Sequence, residues 1–184
     1  GVLRLTLPPR SATLAVLDTV GLPACEPLTL GTMTLRKRPA QPAKIVLEAS
    51  FTTSAAFDVL DRGLALYVAD GSTILAAGRL GGPDATLQFA ARGSRALYVD
   101  PAGSVAGVTR ALVIPRTVQP DGRRRWLVKL KLGSSAAAAL APPAVPQVQV
   151  RLDGDPPCAS TLDGAVSCRW RNADMLRCSA AAPG

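Results

Sequence analysis

A chain of 184 residues with 48% hydrophobic content can bury a core, which excludes global disorder, but with 4% aromatics that core must be aliphatic. Sixteen Gly and sixteen Pro exclude long helices and suit short strands joined by turns. The net charge of +8 favours anionic partners, the lack of histidine removes the commonest general base and metal ligand, and no apolar run reaches the roughly 18 residues of a membrane span.

Period-two alternation recurs from one end to the other. It marks VLRLTL (2–7), TLAVL (13–17), KIVLEASF (44–51), LALYVAD (64–70), TLQFAA (86–91), RALYV (95–99), RWLVKLKL (125–132), VQVRLD (148–153) and VSCRWR (166–171) as strands. Turn signals separate them: PPR at 8–10, DG at 70–71, GGPD at 81–84, RGS at 92–94, PDG at 120–122 and DG at 153–154 and 163–164. SSAAAAL (134–140) is the most helix-like piece, and it predicts a loop with at most one helical turn before Pro142-Pro143.

The chain also repeats itself. MTLRKRPAQP (33–42) aligns with ALVIPRTVQP (111–120), and KIVLEASF aligns with the strand at 125–132. Asp70-Gly71 falls on Asp153-Gly154, and LQFAARGSRALYV (87–99) falls on VSCRWRNADMLRC (166–178). The expected fold is therefore all-β: two tandem small β-sandwich units, immunoglobulin-like in general shape, over 28–104 and 105–184. The joint SVAGV (104–108) is short enough to fuse them into one larger sandwich. Residues 1–27 read as an extra strand segment, a partial unit in which Cys25 matches Cys158. Such a segment needs a sheet edge, either in its own chain or in a neighbouring molecule by strand addition.

The stretches TLRKRPAQPAKIVLEASF (34–51), FDVLDRGLALYVADG (57–71) and GVTRALVIPRTVQPDGRRRWLVKLK (107–131) carry a pattern that resembles uncharacterised tandem β-sandwich repeat proteins secreted by high-GC bacteria. The likeness covers most of the chain and implies a secreted β fold, with no particular activity. Gly1 in place of Met fits this, as removal of a signal peptide would leave, or equally marks a boundary within a longer chain.

Cys25, Cys158, Cys168 and Cys178 are separated by 133, 10 and 10 positions, with no zinc knuckle and no CxxC pair. An even count in an exported β chain predicts disulfides, with three connectivities open. The repeat sharpens this. Phe89 aligns with Cys168 and Val99 with Cys178, so the two cysteines are expected to replace an inward-facing apolar pair across a hairpin. Cys25 and Cys158 are then left to pair with each other or between molecules.

No catalytic set emerges. There is no G-x-S-x-G, no P-loop and no G-x-G-x-x-G, and Glu26 and Glu48 are the only glutamates. Asp58, Asp61, Asp153 and Asp155 read as turn aspartates, since a calcium site needs six or more oxygens. The expectation is a protein that is not an enzyme and has no cofactor and no metal. Arg123, Arg124 and Arg125 beside Trp126, with Arg169 and Arg171 around Trp170, are the candidate anion-binding residues. Trp126 is expected on the buried face of its strand. The functional expectation is a secreted or cell-surface structural protein that self-associates or joins other surface proteins. The alternatives are an accessory subunit of a surface complex and a module that binds anionic polysaccharide; nucleic acid is not an expected partner.

Overall fold

The structure, a computed structural model, describes residues 25–153, 158–161 and 165–181. Most of the predicted N-terminal strand segment, and Asp155, lie outside the described residues. In chain order the strands are β1 (Glu26–Pro27), β2 (Thr29–Arg38), β3 (Gln41–Thr53), β4 (Leu64–Asp70), β5 (Thr73–Leu80), β6 (Ala90–Arg92) and β7 (Arg95–Val99). They continue as β8 (Val108–Val118), β9 (Arg124–Ser134), β10 (Val148–Asp153), β11 (Cys158–Ser160), β12 (Val166–Asn172) and β13 (Met175–Ala180). Two single-turn helices, α1 (Val59–Arg62) and α2 (Ser135–Ala138), interrupt them.

The fold is all-β, as alternation predicts, and its strands form two sheets. The large sheet runs β12-β13-β2-β3-β9-β8-β7-β6, and the small sheet runs β1-β11-β10-β4-β5. Neighbours are antiparallel except β1 and β11. Strands from 28–104 and from 105–184 enter both sheets. β3 lies beside β9 at the centre of one, and β4 lies beside β10 in the other. Exchange each strand of β2–β7 for its counterpart in β8–β13, and the order of the large sheet reads the same backwards, as does β11-β10-β4-β5. Each closing hairpin crosses over: β6–β7 extends β8, and β12–β13 extends β2.

Alternation builds the core between the sheets. Met33, Leu35, Ile45, Leu47, Leu130 and Leu132 point inward from the large sheet, all at most 2% exposed, against Leu66, Val68, Val150 and Leu152 of the small one. The junction between the halves is tight. Gly107 sits at φ 70°, and a Cβ there would lie 2.0 Å from the Gly133 carbonyl oxygen, so only glycine passes.

Several expectations need correction. The strand predicted at 86–91 shrinks to Ala90–Arg92, because the Gln88 carboxamide holds 82–88 as a loop. It accepts from the Gly82 N–H at 3.0 Å and donates to the Gly82 and Ala85 carbonyls. Gln41-Pro42, the end of the first repeat match, opens β3, and the reversal before it is at Pro39-Ala40, where Ala40 takes φ 55°. The match of Asp70 to Asp153 is one residue out of phase. Asp70 lies opposite Val148 on the inward side of its strand, whereas Asp153 lies opposite Ala65 on the outward side.

Candidate functional site

The four cysteines form two disulfides, Cys25–Cys158 and Cys168–Cys178. Cys168 and Cys178 are directly opposed in the β12–β13 hairpin, with Cα atoms 4.0 Å apart. In the other hairpin the expected partner of Phe89, Val99, faces out and is 49% exposed. The turn there holds only Gly93-Ser94, because Arg92 pairs with Arg95, and this register brings Tyr98 inward instead. Tyr98 packs against Phe89 with ring centroids 5.5 Å apart. Two disulfides fit an oxidising compartment. No helix of the described residues is long and apolar enough to cross a membrane.

Alternation along β9 scatters the predicted arginines. Arg123 and Arg125 line an outward cavity of about 350 Å³ with Glu26, Thr29, Ser50, Thr52 and Gln119. Arg123 is committed inside the protein: its guanidinium meets Glu26 at 2.8 Å and donates to the Thr52 carbonyl at 2.8 Å. Arg125 donates to Ser50 Oγ at 3.1 Å. Arg124 points the other way, into a crevice of about 320 Å³ shared with Phe57 and Trp126. Trp126 is partly buried, edge-on to Phe57 at 5.1 Å. The Trp170 ring is approached by Lys37 Nζ, 5.3 Å from its centre, and its Nε1 donates to the Ala144 carbonyl at 2.7 Å. Arg169 and Arg171 are exposed. The Asp58–Asp61 pair is accounted for locally, since Asp58 Oδ1 caps α1 by accepting from the Leu60 and Asp61 amides.

The concentration of charge lies elsewhere. The strands of the large sheet carry fifteen Lys and Arg against one acid, Glu48; those of the small sheet carry two, Arg79 and Arg151, against Glu26, Asp70 and Asp153. Register puts many of the cations on the outward face. One row crosses the sheet as Arg169, Arg177, Thr34, Val46, Lys131 and Arg110, each opposite the next. Two residues along the same strands, Arg36 lies opposite Lys44. All six cations are exposed. Glu48 meets Lys129 at 2.6 Å, one step to the other side of the row.

Sequence reasoning found Arg169 but missed Arg36, Lys44, Arg110, Lys131 and Arg177. Their signal is period-two placement opposite buried apolar neighbours, which becomes a surface only once strand pairing is known. No family model, curated protein or solved structure matches this chain.

One carboxylate in the junction loop is chemically distinct. Asp100 accepts from Ser104 Oγ at 2.5 Å, the Ser104 amide at 2.6 Å and the Ala102 amide at 3.1 Å. The Ser104 hydroxyl above all, with the backbone amides, holds its carboxyl below the usual range, although burial opposes this.

Proposed function

We propose that the protein is a non-enzymatic, secreted or cell-surface interaction module that binds anionic polymers through the outward face of its large sheet. The observation that carries this reading is the charge imbalance of that sheet, fifteen bases to one acid. A surface tuned for solubility intersperses both signs, whereas a single-sign field attracts and steers counter-charged partners. The disulfides support an extracellular setting, where acidic envelope polymers and glycans are the abundant polyanions.

The test is retention on immobilised dextran sulfate and polyglutamate across a salt series. Screening makes such contacts weaken steeply between about 20 and 200 mM salt. No retention at low salt, or retention indifferent to salt, refutes the reading.

A structural role in an extracellular assembly has one observation in its favour. β5 is an end strand of the small sheet, with Ile74 41% exposed; Ser134 Oγ donates to its Leu75 carbonyl and Val105 and Ala106 lie against Gly78, so an added strand would have to pair at the Thr73–Ile74 end. Light scattering over a concentration series tests it, and a constant monomer mass argues against it.

A further inference from the structure

The outward cations of the large sheet form a line. From β12 to β8, six successive strands each contribute one: Arg169, Arg177, Arg36, Lys44, Lys131 and Arg110. Strands are spaced roughly 4.8 Å apart, so five steps span about 24 Å perpendicular to the strands. The middle pair is displaced by two residues, roughly 7 Å along the strand. The result is a continuous, gently stepped track of positive charge one side chain wide.

The six also stand in three directly opposed pairs: Arg169 with Arg177, Arg36 with Lys44, and Lys131 with Arg110. Like charges facing each other across strands destabilise a sheet. The one acid of the large-sheet strands, Glu48, is paired with Lys129. The free protein therefore carries a repulsion along this track that an anion laid over it would relieve.

Resting on the reading above, we propose that this track is the seat of a linear acidic polysaccharide lying across the strands. A chain with regularly repeated carboxylate or sulfate groups matches a one-dimensional track with regularly repeated cations. A bilayer is a poorer match. Anchoring in lipid needs large exposed apolar side chains, and the row offers Val46, 38% exposed, with Val99 beyond its end. Single-stranded nucleic acid binds by stacking bases on aromatic rings. The aromatic residues of this sheet, Phe51, Tyr98, Trp126 and Trp170, are instead packed with the core.

The experiment compares two triple variants of the whole chain with equal loss of charge. Lys44→Ser/Lys131→Ser/Arg177→Ser removes one cation from each opposed pair. Arg62→Ser/Arg79→Ser/Arg116→Ser removes three cations off the track. Binding to polygalacturonate and dextran sulfate oligomers is measured beside vesicles of phosphatidylglycerol and phosphatidylcholine and a single-stranded DNA 20-mer, together with melting temperature with and without polymer. The track variant is expected to lose roughly tenfold or more in affinity for the polysaccharides, with the off-track variant close to wild type. Its melting temperature without polymer should equal or exceed that of wild type, and its polymer-induced rise in melting temperature should shrink. A track variant that melts lower is replaced by Lys44→Gln/Lys131→Gln/Arg177→Gln, read in the same way. Equal losses in the on-track and off-track variants overturn the track and leave the polyanion reading standing. Tighter track-dependent binding to vesicles or DNA overturns the polysaccharide as partner. A wild-type protein that binds no polyanion overturns both.

Discussion

The two sheets share one core but divide two tasks. The small sheet is nearly balanced in charge, and its β1–β11 edge is tied by Cys25–Cys158. The large sheet contains the centre of the fold, where β3 meets β9 over eleven residue pairs, and it carries almost all the positive charge of the strands. The contrast teaches that net charge alone says little about a binding surface. A chain of +8 could spread its cations evenly, and this one gathers them on one layer.

Breaking the covalent side of this comparison should have the largest effect. Cys25→Ser/Cys158→Ser opens a loop of 133 residues, for which chain entropy gives a loss of up to about 5 kcal/mol. Urea unfolding checks this, and a midpoint within error of wild type would show that the small sheet does not depend on its tie. Cys168→Ser/Cys178→Ser opens a ten-residue hairpin loop and should cost less, roughly 2.5 kcal/mol. If it costs more, the hairpin bridge is the dominant staple and the ranking of the two sheets is inverted.

On the charged side the effects on stability are smaller and those on binding larger. Glu48→Gln frees Lys129 and should change stability by less than about 1 kcal/mol, because the pair is exposed. It should also strengthen retention on dextran sulfate, by removing the one acid of the large-sheet strands; weaker retention would contradict the charge argument. Asp100→Asn probes the junction between the halves. The carboxyl is held below its ordinary value, so in acid the unfolded chain binds more protons than the native one. Its contribution is present above about pH 4 and is lost as pH falls through the lower native value. The variant should therefore show a shallower loss of stability between pH 5 and about 2 in acid titration monitored by circular dichroism. An unchanged slope would remove Asp100 from the account.

Much of this was legible in the sequence, for a physical reason. Alternation depends only on which side of a strand is buried, so RWLVKLKL showed Trp126, Val128, Leu130 and Leu132 on one face and Lys129 and Lys131 on the other. The Cys168–Cys178 pair followed from the repeat, which left Cys25 and Cys158 to pair with each other or between molecules. Strand partners were not legible, because nothing local in Arg36 or Lys131 records that Lys44 and Arg110 lie beside them. The run Arg123-Arg124-Arg125 is split because adjacent residues on a strand point to opposite faces: Arg123 and Arg125 share one cavity, and Arg124 lines another. Val99 was misplaced through a single residue of turn length, since a two-residue turn puts Tyr98 opposite Phe89. β5, absent from the strands read by alternation, has Leu75 and Ala76 buried in succession, where its pairing with β4 shifts register.

The crossed hairpins have a consequence for how the chain comes to exist. β13 closes on β2, a strand near the opposite end of the described chain, and β6–β7 must wait for β8. The large sheet therefore cannot be completed while the last hairpin is still inside a ribosome or a translocation channel. Contacts of such long sequence separation form late and slowly. A chain of this topology adds its last hairpin to a sheet whose other strands are already available.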